Sequence, residues 1–102
     1  MQKLLKNNIK ILQNICIELQ IKEMYAFGSV VTNDFREDSD IDFLIDFSKK
    51  FSINEYSDNY FALQYRLRDL FNRDIDIVTK PTLSNPYFIE SIEESKQLIY
   101  EA

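Results

Sequence analysis

Two aspartates, Asp40 and Asp42, flank one isoleucine at the head of an alternating run of apolar residues. Side chains two positions apart on a β-strand point to the same side, so a strand predicted over residues 40–47 projects both carboxylates together. Two carboxylates at that spacing repel each other unless a cation lies between them. Hard divalent cations such as Mg²⁺ take oxygen ligands and also bind substrate phosphates. We therefore interpret the two aspartates as candidate metal ligands.

A glycine-serine turn precedes these acids. Gly28 is the only glycine of the chain, and ten residues separate Ser29 from Asp40. A glycine lets the backbone come close to a phosphate, and Ser29 could cap a short helix or bond a phosphate oxygen. By itself the pair is typical of an ordinary turn. Together with the two carboxylates it suggests phosphoryl or nucleotidyl transfer.

A second acidic strand, predicted over residues 73–79, strengthens this interpretation. Asp74 and Asp76 share its polar face, while Ile75 and Ile77 share the other. A lone Asp-x-Asp is a weak signal, because short motifs match by chance. Three carboxylates from two strands beside a glycine-serine turn instead form a two-metal site for phosphoryl transfer.

The elements that must position these residues alternate along the chain. Residues 2–20 read as one amphipathic helix, residues 22–27 as the first strand and residues 32–39 as a polar loop. The apolar positions of the first helix fall on one stripe typical of core packing: Leu5, Ile9, Leu12, Ile15, Cys16 and Leu19.

The second half of the chain repeats the alternation. A loop over residues 48–52 leads to a helix with Asn54 as its N-cap. That helix runs to about Phe71, with Tyr56 and Tyr60 on its buried stripe and Asn72 ending it in the left-handed conformation. Asn85 and Pro86 open a last helix over residues 87–96, and the final QLIY fits either a helical turn or an edge strand. One sheet under helical cover, of class α/β or α+β, follows.

Composition narrows the possible functions. We expect residues 1–102 to form one domain with a single modest core. With no histidine and one cysteine, a zinc site and a histidine-dependent triad are excluded. A net charge of -5 argues against a nucleic-acid groove and favours either a basic protein partner or the concentration of cations at a local site. No signal peptide or membrane span is recognisable, so a cytoplasmic location is the default expectation.

The run GSVVTNDFREDSDID, followed by RDIDIVT, resembles the minimal nucleotidyltransferases, the small branch of the DNA-polymerase-beta-like superfamily. That resemblance implies a small mixed sheet of about three to four strands flanked by helices. It also implies that Gly28 and Ser29 hold nucleotide phosphates and that Asp40 and Asp42 bind two Mg²⁺ ions. The family pattern of aliphatic residues around the third acid selects Asp76 over Asp74. Asp76 would complete the metal site and accept the proton of the acceptor hydroxyl.

The sequence also departs from this family. Many members carry arginine and glycine directly after Gly-Ser, whereas residues 30–33 here are Val, Val, Thr and Asn. This difference puts turnover in question more than fold, unless Arg36 takes over the role of the missing arginine.

The resemblance implies a protein partner. Free-standing members of the family are typically antitoxins encoded beside HEPN-domain RNase toxins, and transfer AMP from ATP to a toxin hydroxyl, typically of tyrosine. A charged phosphoester there would repel RNA. Two alternatives stay open: a non-catalytic antitoxin that masks the toxin in a stable complex, and a nucleotidyltransferase acting on a small molecule. No motif in the sequence identifies the toxin or the residue that would be modified. The number of AMP groups, the preferred base and the stoichiometry of the complex are likewise not specified by any motif.

Overall fold

The computed structural model describes residues 2–48 and 50–102, so Lys49 of the predicted 48–52 loop lies outside the described residues. Helices and strands alternate as the sequence predicts. Their bounds are α1 Lys3–Lys6, α2 Ile9–Glu18, β1 Ile21–Phe27, β2 Ile41–Phe47, α3 Ile53–Phe71, β3 Ile75–Thr79, α4 Pro86–Ser95 and β4 Gln97–Glu101, with 3₁₀ helices at Gly28–Val31 and Lys80–Thr82.

The strands of the described residues form one four-stranded mixed sheet in the order β3-β2-β1-β4. β1 runs antiparallel to β2 and β4, whereas β2 and β3 are parallel. The parallel pair needs a long crossover, which α3 provides. The ambiguous QLIY segment is strand β4, because Lys96 leaves the last helix in an extended conformation and the following residues pair with β1. These features confirm the predicted mixed sheet flanked by helices.

The main core lies between the sheet and helices α2 and α3. Alternation along β2 buries Ile41, Phe43 and Ile45 completely, as predicted. Ile75 of β3 is also buried, while Ile77 is half-buried at the edge of the core. The predicted stripe of the N-terminal segment packs here too, with Ile9 and Leu19 at its margin.

A second, smaller core on the opposite face of the sheet was not foreseen. Phe27, Leu44 and Ile92 are buried together there, with Leu44 pointing to the same side as Asp42. The sequence alternation led us to expect a polar face, but α4 covers its middle. Asp42 and Asp46, at the two ends of this face of β2, stay half-buried.

The single helix predicted over residues 2–20 is wrong, because the chain forms two helices that meet at Asn7 and Asn8. Asn8 donates a side-chain hydrogen bond to the carbonyl of Leu4 at 2.8 Å. Asparagine side chains that bond nearby backbone in this way compete with helical hydrogen bonds. The break redirects the chain without removing the apolar stripe from the core.

Helix α3 begins two residues earlier than predicted. Ser52, not Asn54, is its N-cap, and its hydroxyl accepts from the backbone N–H of Glu55 at 3.2 Å. Glu55 in turn accepts from the backbone N–H of Ser52, which completes a capping box. The reciprocal pair satisfies two donors, whereas Asn54 would satisfy one. The other end agrees with prediction, since Asn72 adopts the left-handed conformation with φ 52°.

The two tyrosines assigned to the buried stripe of α3 are less covered than expected. Tyr56 is 36% exposed and contacts the rings of Phe47 and Tyr60 near the surface. Tyr60 is half-buried, and its hydroxyl donates to the carbonyl of Ile77 at 3.4 Å. Both lie at the margin of the core, because the sheet ends beneath them at β3.

No helix within residues 2–48 and 50–102 has the length and apolarity required to cross a membrane.

Candidate functional site

The parallel pairing of β2 with β3 brings two of the predicted acids together. Asp42 and Asp76 are direct partners in the register of these strands. On the other side of β2, Asp42 is paired with Phe27, the last residue of β1 and the neighbour of Gly28. The predicted acids and the glycine turn thus meet at one end of the sheet.

The carboxyl group of Asp42 is half-buried, and its surroundings disfavour its negatively charged form. Four effects together raise its pKa from 3.8 to about 6: burial, the negative charge of Asp76, a hydrogen bond shared with Asp76, and the charge of Asp40. Each favours the protonated form, either by withholding water or by adding negative potential. At neutral pH this cluster therefore holds excess negative charge, which a cation could relieve.

Asp40 lies directly before β2 rather than inside it, since the strand begins at Ile41. Its side chain is exposed, as is that of Asp76. Its charge still contributes to the raised pKa of Asp42, so all three predicted acids share one electrostatic environment.

The three predicted acids do not by themselves form a complete metal-binding site. Within residues 2–48 and 50–102, no group of three or more His, Cys, Asp or Glu side chains is spaced to hold a metal ion by itself. Asp42 and Asp76 are the close pair, and Asp40 lies farther out in the loop. This arrangement fits Mg²⁺, which usually binds through one or two carboxylates and completes its shell with water and substrate phosphates.

Of the two acids at the start of the second acidic segment, Asp76 and not Asp74 lies beside Asp42. Asp74 precedes β3, is exposed, and forms a long ion pair with Arg68 at 3.5 Å. It does not contribute to the raised pKa of Asp42, whereas Asp76 contributes through both charge and a hydrogen bond.

Gly28 occupies a position that a larger residue could not share with Asp42. Its φ is +74°, a left-handed conformation that side chains disfavour. A Cβ atom added there would collide with Oδ2 of Asp42 and lie 3.3 Å from its Cγ. The glycine thus places the turn against the carboxylate, consistent with its predicted role at a phosphate site.

The prediction that Ser29 caps a short helix is wrong. The 3₁₀ helix starts at Gly28, because that residue already turns the chain, and no side chain caps it. Ser29 remains beside Gly28 at the site, but nothing in the structure assigns its hydroxyl to a phosphate.

Hydrophobic anchoring replaces the family's arginine in this turn. Val30 is fully buried and Val31 packs against the main core. The proposed substitute, Arg36, lies exposed in the following loop, and a role for it stays a prediction.

Arg73 lies near the site and was not predicted from the sequence. The guanidinium of Arg73 lies over the ring of Phe35, 4.6 Å from its centroid. Its Nη1 donates to the backbone carbonyls of Arg36 and Ser39, at 3.0 and 2.9 Å. The contacts cross more than thirty positions of sequence, so no local pattern could reveal them.

Comparison with known proteins gives a consistent result. A family model described as nucleotidyltransferase domain matches residues 9–99. Among curated proteins, a candidate protein adenylyltransferase of Methanocaldococcus jannaschii is 34% identical over 99 residues, covering 97% of this chain and 92% of the relative. A second candidate protein adenylyltransferase of that organism is 36% identical over 97 residues, covering 95% and 90%.

Solved structures share the fold. A structure described as a candidate minimal nucleotidyltransferase superposes with a TM-score of 0.71 at 25% identity, covering 91% of this chain and 90% of that one. A chain from the structure of a tri-AMPylated Shewanella oneidensis HEPN toxin in complex with an MNT antitoxin gives a TM-score of 0.66 at 14% identity, covering 96% and 73%. At that identity the second likeness concerns the fold alone.

Proposed function

Because this chain belongs to the nucleotidyltransferase domain family, we propose that it transfers AMP from ATP to a hydroxyl group of a HEPN-domain RNase toxin and so acts as its antitoxin. The observation that carries the proposal is the convergence of Asp42, Asp76 and Gly28 at one end of the sheet. Protein adenylyltransferase is also the candidate activity in the names of the curated relatives.

Each side chain of the candidate site has a distinct role in the proposed reaction. Asp40, Asp42 and Asp76 would hold Mg²⁺ with the triphosphate, and the Gly28–Ser29 turn would lie against the phosphates. Bound Mg²⁺ supplies charge neutralisation for the triphosphate and lowers the pKa of a coordinated hydroxyl. Asp76 accepts the proton of the attacking hydroxyl. The new bond joins that oxygen to the α-phosphorus, and the bond to the β-phosphate oxygen breaks to release pyrophosphate.

The charge of the chain suits a toxin that binds RNA. At a net charge of -5 the protein is attracted to a basic surface and repelled by nucleic acid. The acceptor hydroxyl, typically of tyrosine, would therefore enter the cleft on a docked protein.

The decisive experiment separates covalent transfer from simple binding. The protein is incubated with a HEPN-domain RNase, ATP and Mg²⁺, and the RNase is then separated and its mass is measured by mass spectrometry. We expect a gain of one or more AMP units and an RNase that stays inactive after separation. In Asp76→Asn, transfer should fall about a hundredfold or more, since a general base contributes that much, while the complex still forms.

The second candidate, a masking antitoxin without catalysis, is favoured by one observation. The turn after Ser29 carries two core-packed valines where many relatives place an arginine and a glycine. If the wild-type protein leaves the toxin mass unchanged with ATP, GTP, CTP and UTP, and the separated toxin regains full activity, masking is the function. A small-molecule acceptor ranks last, because no observation in the structure favours one.

A further inference from the structure

The loop that delivers Asp40 to the site, residues 32–40, has little regular structure to hold it. It joins the 3₁₀ helix Gly28–Val31 to β2 and consists of turns and irregular backbone. Asp40, at its end, is exposed and lies outside the strand. Its carboxylate and that of Asp42 repel each other, so their charges do not hold this end of the loop at the site.

Two consecutive residues directly before β3, Arg73 and Asp74, form hydrogen bonds with the backbone on both sides of Asp40. Arg73 donates from Nη1 to the carbonyl of Ser39 at 2.9 Å, directly before Asp40. The carbonyl of Asp74 accepts from the backbone N–H of Ile41 at 3.1 Å, directly after it. Asp40 is thus held between two hydrogen bonds from adjacent positions of one segment.

The same guanidinium also fixes the rest of the turn. Its Nη1 donates to the carbonyl of Arg36 at 3.0 Å, and the cation lies over the ring of Phe35, which packs against the main core. The Ser39 hydroxyl bonds the backbone N–H of Arg36 at 2.9 Å, which closes the turn from inside. One side chain therefore connects both ends of residues 36–39 to β3.

We propose that Arg73 is a positioning residue that holds Asp40 in place for metal and nucleotide, a role that rests on the proposed nucleotidyltransferase function. The planar guanidinium suits this task because it stacks on a ring while its edge donates to carbonyls. Both carbonyls accept from the same Nη1, so a lysine ammonium could also donate to them, but lysine has no planar group to stack on the ring of Phe35.

The test compares Arg73→Met with Arg68→Met. Methionine retains a long apolar side chain in each case, and both changes remove one positive charge near the start of β3. Within residues 2–48 and 50–102, the side chain of Arg68 forms an exposed ion pair with Asp74 at 3.5 Å, which contributes little to stability. A third variant, Arg73→Lys, keeps the charge and removes the planar group that stacks on Phe35.

The first readout needs neither nucleotide nor toxin. Amide hydrogen exchange of residues 36–41 should accelerate about tenfold or more in Arg73→Met, because hydrogen bonds from charged donors shift an opening equilibrium by about that factor each. Exchange in β1 and β4 should stay as in the wild type. Arg68→Met should match the wild type throughout.

The second readout measures the site itself. Calorimetric titration of Mg²⁺ with the non-hydrolysable analogue AMP-PNP should show affinity about tenfold weaker in Arg73→Met, partial recovery in Arg73→Lys, and no change in Arg68→Met. In the transfer assay the KM for Mg²⁺–ATP should rise more than kcat falls, because Asp76 is untouched.

Outcomes separate this proposal from the proposed function. If the loop exchanges equally in Arg73→Met and Arg68→Met, or if it loosens while nucleotide affinity stays at the wild-type value, the positioning role is refuted. If the wild-type protein binds no Mg²⁺–AMP-PNP at all, the proposed function and the positioning role fail together. A wild type that binds the nucleotide but transfers no AMP contradicts the proposed function alone.

Discussion

Replacing Asp42 with asparagine should stabilise the metal-free protein at neutral pH, even though it removes a proposed ligand. The folded environment raises the pKa of Asp42 from 3.8 to about 6, so the folded state binds the proton more tightly than the unfolded chain does. Stability from this group is therefore complete below about pH 4 and is lost as the pH rises through about 6. Asparagine imitates the protonated form and avoids that loss.

The expected magnitude follows from the size of the shift. A change of about two pKa units corresponds to about 3 kcal/mol at most. Because Asp42 is only half-buried and water screens its charge, we expect about 1–2 kcal/mol. For a domain of this size the midpoint of thermal unfolding should then rise by about 5 °C or more at pH 7.5.

The assay is urea unfolding of wild type and Asp42→Asn in EDTA, from pH 4 to pH 8. The matched control is Asp74→Asn, which removes the same charge from an exposed site and should change stability by less than about 0.5 kcal/mol. The reasoning is refuted if Asp42→Asn is no more stable than the control at pH 7.5. It is also refuted if the gain persists unchanged at pH 4, where the wild-type carboxyl is already protonated.

Two further predictions concern the same end of the sheet. Gly28→Ala should lose about 1–3 kcal/mol in urea unfolding, because it combines a positive φ with a collision against Asp42; Ser29→Ala, in the same turn, should lose less than about 0.5 kcal/mol, and equal losses would contradict the argument. Mg²⁺–ATP at a hundredfold excess over its Kd should stabilise the wild type by about 2.7 kcal/mol. Calorimetry should show weak Mg²⁺ binding without nucleotide and little Mg²⁺–ATP binding by Asp42→Asn, and equal binding by both proteins would remove Asp42 from the metal site.

Much of the site was predictable because its signals are local. The alternation that begins after Asp40 identifies β2 and its buried face, since side-chain direction in a strand repeats every two residues. The helix ends at Asn72 and at Asn85 depend on backbone conformations and hydrogen bonds that span only a few residues. The residue types at Gly28 and Asp42 are also visible in the sequence, and they led to the prediction of phosphate and metal binding.

Which acids lie next to each other depends on the fold as well as on the sequence. From the sequence alone Asp74 and Asp76 were equivalent members of one strand face, and only the resemblance to a family favoured Asp76. In the structure, the parallel register of β2 and β3 places Asp76 directly beside Asp42. Register depends on which strands become neighbours, and that is a property of the whole sheet.

Other features were decided only by tertiary structure. The second core around Leu44 exists because α4 returns across the sheet, and β4 forms because its segment meets the open edge of β1. The contacts of Arg73 with Arg36 and Ser39 join positions distant in sequence. The amino-acid sequence by itself determined most of the helices and strands and the residue types at the candidate site, because those depend on near neighbours along the chain. Which groups share a cleft was decided by packing, which acts between segments that the sequence keeps apart.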